Sequence, residues 1–224
     1  MKFYGQFDPP VDKLLFERYF KDYDKPGFFV ECGAFDGVTE SSCKFFEETL
    51  HWKGINIEPS PRIFEKLKQN RPESINLNVA LSNIKGMATF KQVIHPDFGE
   101  FCTNGSLCHT PEHFRILQEY KCEFKDYPVH TITWEDLVKE NKIKNIDLFV
   151  LDVEGAEMMV IESMKRSLVL PRILCIEHSH CGGSANLQKV LENLGYDFDF
   201  SSDVNSFFIY RGILRNITFL SENF

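Results

Sequence analysis

Residues Gly27–Gly37 read GFFVECGAFDG, and they predict the strand and turn around which the rest of the chain is arranged. Residues 28–30 form a continuous apolar run, typical of a strand that helices cover on both faces of a parallel sheet. Gly33 and Gly37 follow this run, and glycine permits both a sharp turn and the close approach of a ligand to the backbone. The stretch therefore predicts a buried strand leading into a cofactor-binding turn.

A second strand is predicted downstream, in the stretch HWKGINIEPSP. It ends at Glu58, where Pro59 stops it. An acidic residue at this strand tip, about 20 residues beyond the glycine turn, is well placed to accept hydrogen bonds from ribose hydroxyls. The GxGxxG fingerprint of nicotinamide-dependent enzymes is not met, because Ala34 and Phe35 follow Gly33 where the later glycines of the fingerprint would come. A Rossmann-like dehydrogenase is thus the less favoured interpretation.

The composition is typical of a single globular domain. The chain has 224 residues, of which 43% are hydrophobic and 14% aromatic, so residues 1–224 are predicted to form one domain with a full core. The net charge of −8 disfavours a nucleic-acid partner. No stretch approaches the roughly 20 apolar residues of a membrane span, and a secretory signal pattern is missing at the first residues. These features predict a cytoplasmic protein with no membrane span.

Strands and helices alternate along the chain. A covering helix is predicted over residues 10–23. Further strands are predicted at residues 54–58, 75–81, 86–93, 129–133, 146–151 and 173–176, and further helices at residues 41–50, 157–164 and 185–194 and directly after Ser60 and Thr133. Residues 196–200 and 206–210 read as a terminal hairpin. The pattern predicts an α/β fold with a mostly parallel sheet, helices on both faces and one antiparallel strand near the C-terminus.

The segment from residue 95 to about 128 interrupts this alternation. Loops that interrupt an α/β core on the ligand side often carry specificity, so we expect this insertion to bind an acceptor substrate. It contains several metal-binding residue types, namely Cys102, Cys108, His109, His113 and Cys122. No paired CxxC motif occurs among them, so ordinary loop residues are favoured over a zinc site.

The segment IDLFVLDVEGAE places two carboxylates just beyond another strand. Ligands of an open parallel sheet bind outside the carboxyl ends of its strands, so Asp152 and Glu154 are predicted to face the cofactor cleft. The alternative is that these acids, around Gly155, only cap the following helix.

Four motifs in this order, GAFDG, WKGINIEP, NVALS and LDVEGAE, resemble those of the FkbM-like family of S-adenosylmethionine-dependent methyltransferases. The resemblance covers roughly residues 4–176. It implies a Rossmann-like class I methyltransferase fold with a seven-stranded sheet. It also implies O-methylation, commonly of sugar or natural-product hydroxyls, with S-adenosylmethionine as the cofactor.

The resemblance also assigns roles to individual positions. The methionine part of the cofactor would lie against Glu31, Gly33, Ala34 and Gly37, and Glu58 would hold the ribose hydroxyls. The adenine would lie near Asn78, Val79 and Ala80, with Leu81 and Ser82 beside them. The methyl-transfer side would be lined by Asp152, Glu154 and Gly155. One departure is Val150, where many relatives have lysine.

A hydroxyl acceptor needs a base, and the segment ILCIEHSH offers candidates for it. Histidine titrates near neutral pH, so His178 is a candidate base alongside Asp152, although it could instead serve only in hydrogen bonding at the strand end. Asp152, Glu177 and His178 could also bind a divalent metal such as Mg²⁺, which is possible but not favoured.

Two other functions remain open at this point. Methylation of nitrogen on a small molecule or protein would need no strong base. A noncatalytic Rossmann-like binding module would keep the cofactor pocket for stability alone. The favoured prediction is an O-methyltransferase with a small-molecule or glycan acceptor.

Overall fold

The computed structural model describes residues 1–212. The strands are β1 Phe28–Cys32, β2 Lys53–Ile57, β3 Ile75–Leu77, β4 Ala80–Leu81, β5 Gly86–Ile94, β6 Glu123–Ile132, β7 Leu148–Leu151, β8 Ile173–Glu177, β9 Tyr196–Ser202 and β10 Asn205–Tyr210. The helices are α1 Val11–Leu15, α2 Lys44–Leu50, α3 Pro61–Asn70, α4 Pro111–Glu119, α5 Trp134–Glu140, α6 Glu157–Met164 and α7 Ser184–Glu192. The predicted domain of residues 1–224 extends past the described part and stays a prediction.

Seven strands form the main sheet, in the order β3-β2-β1-β7-β8-β10-β9. The pairs of β1 with β2 and β7, of β2 with β3 and of β7 with β8 are parallel, whereas β10 is antiparallel to both β8 and β9. The predicted α/β fold is therefore confirmed, together with its antiparallel strand near the C-terminus. Among residues 1–212, none of the helices combines the length and apolar character that crossing a membrane requires.

Both faces of the main sheet are covered, as the apolar run of β1 predicts. Successive side chains of a strand point to opposite faces. Val30 accordingly packs in one core with Trp134 and residues of α6 and α7, whereas Phe29 packs in a second core with Phe46 and Trp52. The predicted covering helix is present, but it runs as α1 followed by a π-helical turn at Phe16–Phe20.

The single strand predicted at residues 75–81 is wrong, because the chain changes sheets there. β3 ends at Leu77, and β4 then pairs with β6 in a separate three-stranded sheet of order β4-β6-β5. The Asn78 side chain donates to the backbone carbonyls of Glu58, at 2.8 Å, and Pro59, at 3.0 Å. These bonds fix the chain beside the end of β2. Pro59 has no backbone N–H, so the hydrogen bonds between β2 and β3 cannot continue past it.

The insertion is more regular than its sequence indicates. β5 and β6 form an antiparallel pair of nine residues each, in which Phe90 lies opposite Tyr127 and Val93 opposite Phe124, and α4 connects them. The predicted strand at residues 129–133 was too short at its start, because exposed charged residues and Pro128 obscure the alternation of β6. Pairing with β5 supplies the partner that this segment lacks by itself.

A buried ion cluster supports the turn after β1. Arg71 is fully buried at the end of α3, and its Nε donates to Glu47 at 2.5 Å. Its Nη1 donates to the Glu31 carboxylate at 3.4 Å and to the Gly37 carbonyl at 3.2 Å. Glu31 also accepts from the backbone N–H of Cys43 at 3.1 Å. Burial raises the pKa of Glu31, and the Arg71 charge opposes that rise, so the arginine keeps a buried carboxylate paired.

We expect the substitution Arg71→Met to destabilise the fold by about 3–5 kcal/mol, because it leaves Glu31 buried without its cation. The control is Arg62→Met, which breaks an ion pair with Glu100 whose arginine side chain is 63% exposed, and which we expect to cost about 0–1 kcal/mol. Urea unfolding followed by circular dichroism measures both. Equal losses in the two variants would contradict the structural role of Arg71.

Candidate functional site

A cavity of about 370 Å³ lies at the carboxyl ends of the central strands. Its walls come from the ends of β1, β2, β7 and β8 and from the insertion. This is the edge at which an open parallel sheet binds ligands, and the volume is in the usual range for small-molecule sites.

The turn after β1 brings two neighbouring strands together at the cavity. The backbone N–H groups of Gly33 and Ala34 both donate to the Ile57 carbonyl of β2, at 3.1 Å each. Gly33 has a φ of +86°, and a side chain there would overlap the carbonyl oxygen of Asp152. Only glycine fits this position, since it alone avoids both the strained backbone and the collision. Gly33 and Ala34 both line the cavity.

Glu58 lies at the end of β2 and lines the same cavity. Its two carboxylate oxygens accept one backbone N–H each, from Phe35 at 3.0 Å and from Ser60 at 2.7 Å. Burial raises the pKa of Glu58 to about 8. An ionised carboxylate has about four acceptor sites, so each oxygen keeps capacity for a hydroxyl donor.

The other predicted cofactor residues divide into two groups. Glu31 and Ala80 line the cavity, and Leu81 lies beside Ala80 in its wall. Four predicted residues are not among its lining residues, namely Gly37, Asn78, Val79 and Ser82. A side chain at Gly37 would meet Arg71 and Leu67, and the Asn78 amide holds the strand end described above, so Gly37 and Asn78 contribute to the packing around the cavity and not to its lining.

The loop between β7 and α6 presents Asp152 and Glu154 to the cavity. Capping of this loop falls to another acid, Glu157, which accepts from the N–H groups of Val153 at 2.9 Å and of Gly155 at 3.1 Å. The alternative that Asp152 and Glu154 only cap the helix therefore does not describe their contacts. The sequence reasoning missed this role of Glu157.

Glu154 joins two histidines and an amide across the cavity wall. Its Oε2 accepts from His180 Nε2 at 3.1 Å and lies 3.6 Å from His113 Nδ1. Its Oε1 accepts from the Asn104 side chain at 3.1 Å. The rings of His113 and His180 stack in parallel, with centroids 4.2 Å apart and planes inclined by 6°. Three separate parts of the chain thus meet at one carboxylate.

In these surroundings the pKa values of Glu154 and His180 are raised and that of His113 is lowered. Burial raises the pKa of Glu154 to about 7, and the hydrogen bond to Glu154 raises the pKa of His180. Burial and the nearby His180 lower the pKa of His113 to about 4. Two charged imidazoles cannot stack favourably in a buried site, so His113 stays neutral while His180 pairs with the carboxylate.

The structure separates His178, the predicted base, from this group. His178 is not among the cavity-lining residues. Its Nδ1 lies 2.9 Å from the Ser206 hydroxyl, and its backbone N–H donates to the Val204 carbonyl at 2.8 Å. These contacts match the hydrogen-bonding alternative for His178. His180 reaches the cavity instead because β8 ends at Glu177 and the chain turns there, which ends the strand alternation.

Within residues 1–212, two groups of side chains have donor atoms within 4.8 Å of one another and could share an ion. One is His113, Glu154 and His180, and the other is Asp152, Glu157 and Glu177. Neither is the predicted magnesium set, which included His178, nor the cysteine and histidine set of the insertion. Burial and the neighbouring Glu177 raise the pKa of Asp152, so this second group favours a bound positive charge.

The insertion packs directly on the loop between β7 and α6. Gly155 has a φ of +117°, and a side chain there would overlap the Cys108 carbonyl oxygen of the insertion. The Ser106 hydroxyl donates to the Val153 carbonyl at 3.1 Å. Gly155 is therefore needed for the close approach that brings the insertion to the cavity.

Comparisons with known proteins assign the family. The chain matches the methyltransferase FkbM domain over residues 31–198 and belongs to that family, as its motifs predict. It is 31% identical to the 2-O-methyltransferase NoeI of Sinorhizobium fredii (strain NBRC 101917 / NGR234) over an alignment of 133 residues that covers 55% of this chain and 52% of NoeI. The predicted Rossmann-like class I methyltransferase fold is confirmed.

The fold is similar to that of a solved relative. The crystal structure of methyltransferase FkbM from Methylobacillus flagellatus KT matches with a TM-score of 0.51 at 14% identity, over 86% of this chain and 46% of that one. The chain thus spans about half the length of NoeI and of this solved protein.

We expect the substitution Gly155→Ala to destabilise the protein by at least about 1–3 kcal/mol. Alanine disfavours the positive φ, and its side chain would collide with the Cys108 carbonyl oxygen. Gly99→Ala is the matched control, because Gly99 also has a positive φ, +61°, but has open space around it. Thermal unfolding of both variants gives the comparison. A loss for Gly155→Ala no larger than that for Gly99→Ala would show that the insertion does not pack as described.

Proposed function

We propose that this chain transfers a methyl group from S-adenosylmethionine to a hydroxyl group of a sugar or glycan. The observation that carries the proposal is the joint presence of Glu58 and Asp152 in one cavity, on either side of the turn at Gly33. This combines an acceptor for ribose hydroxyls with carboxylates on the opposite wall. Membership of the methyltransferase FkbM domain family supports the reaction class.

The hydrogen-bond acceptors of the cavity fit this cofactor. Each oxygen of Glu58 retains acceptor capacity beyond its backbone bond, which suits the two hydroxyls of a ribose. The methionine part would lie at Gly33 and Ala34, and the adenine beside Ala80 and Leu81. The cofactor supplies a methyl group on a positively charged sulfur.

The acidic wall suits that positive charge. The carboxyl groups of Asp152, Glu154 and Glu177 all line the cavity. Their pKa values are raised chiefly by burial, so a cation brought beside them stabilises their ionised forms. Positioning the acceptor oxygen in line with the reacting bond is the main contribution that such a site can make to the rate.

Asp152 is the residue we assign to receive the acceptor proton. Its carboxylate faces the cavity, and its backbone N–H is fixed by the Cys32 carbonyl at 3.0 Å. His180 and Glu154 lie beside it and would orient the acceptor hydroxyl by hydrogen bonding. His178, the other predicted base, lies outside the lining and would act on this oxygen only through another group.

The name of a relative favours a hydroxyl acceptor over an amine. NoeI is called a 2-O-methyltransferase, and we extend O-methylation to this chain as part of the proposal. The insertion would bind the acceptor, since residues 102–105 and His113 line the cavity opposite the cofactor residues. The cytoplasm stays the predicted compartment.

We expect the affinity for S-adenosylmethionine to rise with pH and to level off near pH 8. Below the raised pKa of Glu58, about 8, the carboxyl of the unliganded protein holds a proton, whereas ribose hydroxyls favour the carboxylate. Affinity should fall by up to about tenfold per pH unit below 8. Isothermal titration calorimetry from pH 6 to 9 measures it.

The variant Glu58→Gln tests the origin of this dependence. It should bind the cofactor more weakly and lose the part of the pH dependence that levels off near pH 8, whereas Glu65→Gln, on the exposed side of α3, should behave as wild type. If Glu58→Gln showed the same dependence of cofactor affinity on pH as the wild type, the assignment of Glu58 to the ribose would be contradicted.

We expect methyl transfer from labelled S-adenosylmethionine to mono- or oligosaccharides, and a loss of kcat of about 10²-fold or more in Asp152→Asn. Cofactor affinity in that variant should fall by a smaller factor than kcat, since Glu154 and Glu177 still line the cavity beside the positive sulfur. The assay includes matched amino sugars. Transfer to the amine alone would identify an N-methyltransferase, and cofactor binding without transfer to any acceptor would support a binding module.

A further inference from the structure

Two histidines and a carboxylate from three parts of the chain meet at one side of the cavity. His113 comes from α4 of the insertion, Glu154 from the loop after β7 and His180 from the turn after β8. We propose that these three residues bind one divalent transition-metal ion, such as Zn²⁺ or Co²⁺, with an open coordination position toward the acceptor.

The spacing of the donor atoms fits a single ion. Ligands about 2.1 Å from a tetrahedral ion lie roughly 3.4 Å from one another. The distances from Glu154 Oε2 are 3.1 Å to His180 Nε2 and 3.6 Å to His113 Nδ1, and all three donors lie within 4.8 Å of one another. An imidazole nitrogen binds an ion in the plane of its ring, so at least one of the stacked rings of His113 and His180 would have to turn for both to bind the same ion.

His113 gives an independent reason to expect a ligand. It is only 6% exposed, and its Nδ1 is buried with no hydrogen-bond partner among the described residues. A buried polar atom without a partner is costly. Glu154 Oε2, at 3.6 Å, is too far for a hydrogen bond. A metal ion would give the Nδ1 lone pair a partner and relieve that cost.

The surrounding groups hold the donors as a metal site requires. Asn104 donates to Glu154 Oε1 at 3.1 Å and leaves Oε2 free for the two histidines. The backbone of Asn104 also contacts His109 Nε2 at 2.7 Å, and the His109 ring packs against that of His113. Such outer contacts orient metal ligands in proteins. The left-handed φ of Glu154, +57°, turns its side chain into the cavity.

The donor types indicate which ion would bind. Imidazole nitrogens favour Zn²⁺, Co²⁺ and similar ions, whereas Mg²⁺ prefers oxygen ligands. Of the residues in the second group, Glu157 is already occupied by backbone N–H groups, and that group is a cluster of acids only. The histidine group is therefore the better site.

The role of the ion rests on the proposed function, although the site itself does not. An ion with an open position toward the cavity would bind the acceptor oxygen and make its proton more acidic. The proton passes to Asp152, the oxygen forms its bond to the methyl carbon, and the electrons of the broken carbon–sulfur bond stay on the sulfur. Because His113 belongs to the insertion, ion binding would also hold the insertion at the acceptor side.

Titration with Co²⁺ and Zn²⁺ tests the site directly. The protein carries Cys108→Ser in all samples, because Cys108 is an exposed free thiol. We expect one ion per chain by calorimetry and by metal analysis after gel filtration, with a Co²⁺ visible spectrum of nitrogen and oxygen ligation. His113→Phe and Glu154→Gln should weaken binding by roughly a hundredfold or more. His180→Gln serves as a third variant if His113→Phe does not fold.

His178→Asn is the matched control, because His178 is a neighbouring histidine outside the cavity, and it should bind the ion as wild type does. A folded wild type that binds neither ion would overturn the proposal, as would wild-type binding by His113→Phe. Loss in His178→Asn or Glu177→Gln alone would place the ion elsewhere and equally overturn it. Ion binding without S-adenosylmethionine binding would support the metal site and reject the proposed function. Binding of S-adenosylmethionine without ion binding would reject the metal site alone.

Discussion

The close contact between Gly33 and the Asp152 carbonyl is the constraint on which the cavity depends. It is possible only with glycine, because any side chain would occupy the position of that oxygen. Backbone hydrogen bonds from Gly33 to Ile57 and from Asp152 to Cys32 fix the ends of β1, β2 and β7 at one level. As a result, carboxylates that are far apart in sequence face one small volume.

The insertion adds the second half of the cavity and is itself a packed unit. The three-stranded sheet that flanks it has small cores of its own, one around Val93 and Leu117 and one around Phe90 and Val129. It contacts the main sheet through the loop that contains Gly155. The position of His113 is therefore determined by packing on both sides, which gives the stacked histidines their geometry.

The sequence predicted the main sheet well because its signals are local. Apolar runs predicted the central strands, and the helix predicted after Thr133 is present and begins with a capping box formed with Asp136. Two features were not predicted from the sequence, because they depend on contacts between residues that are distant in the chain. The chain changes sheets after Leu77 because Asn78 bonds to the end of β2, and the histidines of the cavity are 67 residues apart, at 113 and 180. Residue type alone could not distinguish His180 from His178.

A crystal structure with bound S-adenosylhomocysteine would test most directly whether this cavity is the cofactor site. We expect ribose hydroxyls within hydrogen-bond distance of both Glu58 oxygens, and the amino acid part against Gly33 and Ala34. The sulfur would face the side of Asp152. Ligand bound elsewhere, or bound in the cavity with its ribose away from Glu58, would contradict the account.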